Sequence, residues 1–432
     1  MKTHIRNLLL LALTIAAFSC KDKIEETYLV NAPVYLSYED LRSPVNVKSA
    51  EDIIEPGKMY FKDKFIYVNE YKKGIHVIDN QDPADPQVIR FIEIPGNVDL
   101  AIKGNILYAD SYVDLIAIDI SDMNDIKEVA RIEDAFPYMI PEYSDGIVED
   151  VSEEKGVVTG WHKVEKTEEV KPVQLSYQYY PYYDVLYFSE AVNVRSTTNS
   201  GGNQSFGVGG SMARFTLFDN YLYAVDNSML RLFNVSESTN PSLESQLNIG
   251  WNIETIFPYN SRLFIGTMTG MLIYSLADPA NPEFISEFWH VSSCDPVVVE
   301  DDYAYVTLRA GNLCGESENL LDVVDISNIY EPELVKEYAM TEPFGLGIDN
   351  SVLFVCDGSA GLKIYNARNP LHISDNKLAE YPDINAYDVI PLGDVLLMIG
   401  IDGLFQYDYS DLENIRQISH IPIVSFISDT EN

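Results

Sequence analysis

Seven times along the chain a short apolar run gives way to a polar turn. The runs begin at Gly74 (GIHVIDNQDPADP), Leu115 (LIAIDISDMND), Leu230 (LRLFNVSESTNP), Met271 (MLIYSLADPANP), Leu321 (LDVVDISNIYEP), Leu362 (LKIYNARNP) and Leu404 (LFQYDYSDLEN). Their spacing is about 40 residues, with two longer steps, and a period of that length with several strands per unit predicts a β-propeller. Within the stretch 283–327, Phe284–Phe288 alternates apolar and polar positions, as a half-buried strand does. Pro296–Val299 is continuously apolar, the pattern of a strand covered on both faces. Asp301 and Asp302 make a tight turn, Tyr303–Leu308 returns, and Leu321–Ile326 completes four antiparallel strands. Proline at 282 and its counterparts mark the connection between units, because proline cannot continue a central ladder.

The slot of Tyr303–Leu308 is filled elsewhere by Lys64–Asn69, Asn105–Asp110, Asn220–Asp226, Ser261–Gly266, Ser351–Asp357 and Gly393–Gly400. Phased in this way, the first unit lacks partner strands and the last ends early, at 418–425. The expectation is an all-β, seven-bladed β-propeller of repeats of about 40 residues, whose N- and C-terminal strands complete one blade and remove exposed sheet edges. An open array of hairpins is the alternative. No long helical pattern appears beyond the N-terminus, and 29 tyrosines and 18 phenylalanines suit strands.

The repeat resembles the LVIVD-repeat family, an apolar strand followed by aspartate. Val77-Ile78-Asp79, Ala117-Ile118-Asp119 and Val323-Val324-Asp325 carry the resemblance, and so do the linkers 82–86 and 278–282. It covers roughly 57–423, with degenerate copies at Leu230, Leu362 and Leu404. The resemblance implies an extracytoplasmic β-propeller and carries over no catalytic residue.

The N-terminus sets the expected address. Lys2 and Arg6 form a basic region, and the apolar stretch 8–17 is too short to span a membrane. Ser19-Cys20 then resembles a bacterial lipoprotein processing site, with Cys20 lipidated; ordinary secretion is the alternative. The charged run 21–26 resembles the surface-export signal of Bacteroidetes lipoproteins, which predicts an outer-membrane lipoprotein at the cell surface, or else on the periplasmic face. The expected division is a signal peptide at 1–19, a lipidated tether at 20–56 with a short helix around Tyr38–Leu41, a propeller at 57–425 and a tail at 426–432. The net charge of −38 disfavours nucleic acid and anionic lipid head groups as partners. The partners expected are a membrane through the lipid, and a glycan or an envelope protein, with the chain a monomer.

In an oxidising compartment Cys294 and Cys314, placed at one end of one repeat, are expected to pair. Closing a loop of about 20 residues would contribute roughly 3 kcal/mol. Cys356 lies within an apolar strand and reads as a buried free thiol, with pairing to another cysteine the alternative. The histidines have no metal-ligand spacing, and neither a C-x-x-C pair nor a calcium loop occurs, so no metal and no cofactor are expected. No G-x-S-x-G elbow is present, and the glycines at 207, 209 and 210 follow no βαβ strand, so nothing implies a nucleophile or phosphate cradle.

Between the second and third apolar runs lie 115 residues, and the excess falls at 137–211. This insertion contains SYQYYPYYDVLYF at 176–188, which reads either as covering strands or as an aromatic platform. Strand order sends it out on the end that also gathers Asn69, Glu70, Tyr71, Asp110, Tyr112, Arg214, Asp226, Trp251, Glu254, Arg309, Asp357 and Asp388. Aromatic faces beside directional polar groups suit sugar or peptide recognition. The expected function is therefore a non-catalytic binding module. The rivals are a glycan lyase or hydrolase using carboxylates at this end, and a structural envelope scaffold.

Overall fold

The protein is described by a computed structural model covering residues 25–143, 146–169, 208–289, 296–310 and 318–424. It divides into two compact units, one of residues 1–40 and 138–185 and one of 41–137 and 186–432. The first contains a three-stranded sheet in which Glu25–Leu36 lies between Ile147–Val148, parallel, and Val157–Glu169, antiparallel. Part of the segment expected to be a tether is thus a long strand paired with the insertion, followed by the expected helical turn at Tyr38–Leu41.

The second unit is built from seven sheets of at least four antiparallel strands each, among the described residues. The first has Pro56–Lys62, Phe65–Glu70, Gly74–Asp79 and Gln87–Glu93, extended by Val208–Gly209 on one edge and Asn46–Ser49 on the other. The remaining six span 100–132, 215–248, 253–289, 297–339, 346–381 and 386–422. Burial grades across each sheet. In the second, Leu100–Lys103 is buried throughout, whereas the last strand of the third, Ser242–Asn248, alternates exposed and half-buried positions. A strand covered on both faces is apolar at successive positions unless a polar side chain finds partners, as Lys103 does in Asn220 Oδ1 and the Val235 carbonyl, and an outer strand need be apolar only at alternate ones.

The expected phase of the repeat is corrected here. Glu283–Trp289 pairs with Gly270–Ser275 and belongs to the sheet before the one containing Val297–Glu300. The proline-bearing connections therefore join the third and fourth strands of one sheet. The last sheet, 386–422, is complete in itself, and so are the four consecutive strands of the first. No blade is shared between the chain ends among the described residues. A sequence period is unchanged by shifting its starting point, so it sets the repeat length and leaves the sheet boundary open.

The aspartate that ends the apolar run in several of the repeats has a local task. Asp79 Oδ1 accepts the Gln81 amide at 3.0 Å, Asp119 that of Ser121 at 2.9 Å and Asp325 that of Ser327 at 2.9 Å. Where the repeat departs from aspartate, Asn234 and Asn366 accept the amides of Ser236 and Arg368 in the same way, at 3.0 and 3.1 Å. These Asx turns reverse the chain between the third and fourth strands.

Neighbouring sheets are joined through the same connections. The Tyr108 hydroxyl donates to the Ser238 carbonyl at 2.8 Å, Tyr223 to Pro279 at 2.6 Å, Tyr338 to Pro370 at 2.8 Å and Tyr381 to Ile415 at 2.9 Å. Each tyrosine reaches from one sheet to the connection of the next, satisfying a buried hydroxyl. The first strands of the sheets touch in chain order from 56–62 to 386–391. First and last sheets also share one apolar cluster, in which Met59, Ile66 and Val68 pack with Ile390, Leu397 and Ile399. Across the same seam Asn80 and Gln406 exchange two side-chain hydrogen bonds, of 3.0 and 2.7 Å.

Candidate functional site

Antiparallel alternation places the start of each sheet's first strand and the loop between its second and third strands at one end. The sequence-selected residues all fall there. Most of the acids among them hold main chain. Asp110 Oδ1 accepts from the amides of Val98 and Asp99 at 2.8 and 2.9 Å and from Asn97 Nδ2 at 2.8 Å. Asp357 accepts from the amides of Thr341 and Glu342 at 2.9 and 2.7 Å and is paired with Lys363. Asp226 accepts from Ser228 and Met229 in its own loop and is paired with Arg231, whose guanidinium lies over Phe136. In each case a carboxylate takes up the amides of a chain reversal that no strand ladder can satisfy.

Asn69 is fully buried and donates to the Asn97 carbonyl and Oδ1, at 3.1 and 2.7 Å, tying the first sheet to the second. Tyr112 is also buried; it adopts a left-handed backbone (φ +54) and packs against Gly96, where a Cβ would come within 2.3 Å of the ring. Burial pushes the Tyr112 hydroxyl up to about 12. Glu254 and Asp388 are buried, at 5% and 0% exposure. Tyr71 is half-buried beneath the Lys72 ammonium, 5.0 Å from the ring centroid.

Two of the selected residues are presented differently. Trp251 is 75% exposed in the loop leading into the fourth sheet. The Arg309 guanidinium stacks 4.1 Å above Phe344, which meets Tyr387 edge-on at 4.9 Å, so this cluster draws on the fifth, sixth and seventh sheets. Phe344 and Tyr387 were missed by the sequence reading; each lies beside the start of a first strand, the slot that had selected Trp251 and Asp388. Arg214 contributes its main chain, its amide donating to Asp99.

Asp99 and Lys58, also missed, form a buried ion pair at this end, 3.2 Å apart and 5% and 7% exposed at their side chains. No pattern of spacing marks them, since 41 residues separate them on different sheets. Cys356 is buried and free, as expected, and burial raises its thiol well above the usual range. Cys20, Cys294, Cys314 and the tyrosine run 176–188 lie outside the described residues. Among the described residues no group of three or more His, Cys, Asp or Glu side chains could hold a metal ion.

Burial, against the hydrogen bonds it receives, drives the Asp110 carboxyl up to about 6, and the charge of Asp99 adds to the rise. A carboxyl raised in the fold binds its proton more tightly there than in the unfolded chain. It therefore favours folding fully below the unfolded value of 3.8, and that contribution is lost as pH rises through about 6. The interval is worth about 3 kcal/mol, and partial solvent screening reduces it to about 2 kcal/mol. Asp110→Asn keeps the Oδ1 acceptor and removes the titration. Its stability relative to wild type is expected to improve by about 2 kcal/mol between pH 4 and pH 7.5. Urea denaturation at both pH values checks this, and a difference independent of pH would refute it.

Successive four-stranded antiparallel sheets, touching in order and bolted through equivalent connections, define a β-propeller repeat protein. Two of its repeat segments match the LVIVD repeat family model, residues 96–134 and 293–340. These segments contain the Asp119 and Asp325 copies of the motif. No curated protein sequence matches the chain. Among solved structures, the computationally designed Ika8 protein is similar at a TM-score of 0.50 and 8% identity, over 87% of this chain and 91% of that one. BamB from Moraxella catarrhalis aligns at 0.49 and 10% identity, over 89% and 98%. Sqt1 from Saccharomyces cerevisiae aligns at 0.48 and 6%, over 91% and 89%. At these identities the likeness concerns the fold alone.

Proposed function

We propose that the seven sheets close into a single seven-bladed ring, carried outside the cytoplasm on a Cys20 lipid anchor, and that the end with the insertion binds a partner without chemical turnover. Closure is supported by the shared cluster of the first and last sheets, by the Asn80–Gln406 exchange and by the Val424 amide donating to the Ile53 carbonyl at 3.0 Å. The observation that carries the binding reading is the division of labour at this end. Asp110, Asp226 and Asp357 hold loops, while the exposed Trp251 ring offers aromatic surface and the half-buried Arg309 guanidinium, seated on the buried Phe344, a cationic group. Such surface suits a glycan, whose apolar ring faces stack and whose hydroxyls need directional donors. The raised carboxyl of Asp110 favours the rival reading, a glycan-active enzyme, but its Oδ1 already accepts three donors.

The full chain applied to an array of bacterial, host and dietary glycans is expected to give a saturable hit that Trp251→Ala weakens at least tenfold. A blank array would remove the glycan and turn the search to envelope proteins by cross-linking. Conversion of a bound glycan to product would establish the enzyme instead. The anchor has its own test. Cys20→Ala is expected to move the protein from the membrane fraction to the soluble one, and retention in membranes would overturn lipidation.

A further inference from the structure

Among the described residues, the fourth strand is the outermost in every sheet but the first. There Asn46–Ser49 adds beyond it as a further antiparallel strand, opposite Glu93, Ile92, Phe91 and Arg90. Two features hold the added strand. Val47, opposite Ile92, packs against the apolar core. Lys48, opposite Phe91, brings its ammonium to 3.0 Å from Glu93, and Asn46 donates to the same carboxylate at 2.8 Å. The chain itself thus shows that the outer edge of such a sheet accepts another strand when an apolar and a basic side chain come in succession.

The fifth sheet offers the same edge uncovered. Its outer strand, Glu333–Ala339, pairs with a register shift between Val323 and Val324, and the outer strand of the first sheet with one between Val77 and Ile78. Counted from that step, Lys336, Glu337, Tyr338 and Ala339 correspond to Arg90, Phe91, Ile92 and Glu93. These residues line a cleft of about 250 Å³, whose other wall includes Tyr365 and Ile373 of the sixth sheet. Tyr338, Tyr365 and Ile373 are buried. The Tyr338 hydroxyl is already engaged, donating to the Pro370 carbonyl at 2.8 Å and accepting the Ile373 amide at 3.0 Å. Small-molecule pockets begin at about 300 Å³, so the cleft suits one side chain of a larger partner. The strand beside it is exposed from Glu333 to Glu337, with Leu334 and Val335 at 42% and 36%. On the third sheet the exposed positions of Ser242–Asn248 are all polar. An uncovered edge that shows apolar side chains is a template for another chain. Glu333 and Glu337 meet no cation among the described residues, so an acid is at hand here as Glu93 is for Lys48.

We propose that Lys336–Ala339 binds an extended peptide of another protein as an added antiparallel strand, with an apolar side chain opposite Tyr338 and a basic one opposite Glu337. Main-chain bonds along the edge supply affinity, and the cleft and the acid supply specificity. Directly opposed residues share a face, so the apolar side chain falls on the face of Tyr338. The net charge of −38 favours a basic partner over a second copy of the chain. The proposal does not depend on Trp251, so either can fail without the other. It is tested by selecting random nine-residue peptides, displayed on phage, on the full-length chain in detergent. The selected peptides are then synthesised and followed by calorimetry and by hydrogen exchange of the 333–339 amides. They are expected to carry an apolar–basic pair, to saturate, and to slow exchange along the edge. Glu337→Lys, at an exposed position, is expected to weaken them tenfold or more and to turn a fresh selection toward acidic residues. Ser374→Trp, at the exposed rim of the cleft, is expected to weaken binding without changing that charge preference. The proposal is overturned if no peptide saturates, if exchange of the edge is unchanged, or if Glu337→Lys binds the same peptides equally well. A dimer in sedimentation that Glu337→Lys dissociates would also overturn it, by assigning the edge to a second copy.

Discussion

Replacing Asp99 with alanine is expected to cost the fold about 3–5 kcal/mol, the loss associated with stranding a buried charge. Asp99 Oδ2 receives the Lys58 ammonium at 3.2 Å and the amides of Arg214 and Phe215, the latter at 3.0 Å. One carboxylate on the second sheet thus satisfies a cation of the first and the opening turn of the third. Alanine leaves all of these donors in a space with little access to water, where each unmet group carries a desolvation penalty of about 1–3 kcal/mol. Asp99→Asn keeps an acceptor for the amides and is expected to lose less than Asp99→Ala. The double variant Asp99→Ala with Lys58→Met removes the stranded charge but leaves the amides unmet, so it recovers only part of the loss. Urea unfolding of the three variants decides the matter. Equal stability of Asp99→Ala and wild type within about 1 kcal/mol would show that water replaces the carboxylate.

The second large effect is at the seam between the first and last sheets. Leu397 is fully buried in the cluster that joins them, and Leu397→Ala is expected to destabilise the protein by about 2–5 kcal/mol, the range for a leucine truncated in a close-packed core. That loss alone would not show that the two sheets meet. A double-mutant cycle on Asn80→Ala and Gln406→Ala does, because the two amides exchange hydrogen bonds directly across the seam, 326 residues apart in sequence. A coupling energy of about 0.5–3 kcal/mol is expected. Additivity of the two single losses would mean that the sheets do not face each other in solution, and closure of the ring would fall with it.

The repeat length, the strand pattern and the turn chemistry were determined by the sequence itself. These are short-range properties. Tyr303–Leu308 shows its strand through its own residues, and Asp325 closes its turn on an amide two residues away. The sheet boundary was a tertiary decision, because pairing energy between Gly270–Ser275 and Glu283–Trp289 leaves no mark on the period. The same holds for the candidate site. Residues such as Asp110 and Asp357 were visible as acids at the right end. Whether an acid faces solvent or holds a loop depends on which amides the fold brings within about 3 Å of it. His76 read as one scattered histidine; only folding buries it, sets Glu70 on its Nε2 and lays the Phe91 ring against it. Local hydrogen bonding and hydrophobic period are written in neighbouring residues, whereas burial and long-range pairing arise from segments tens to hundreds of residues apart, so only the folded chain decides them.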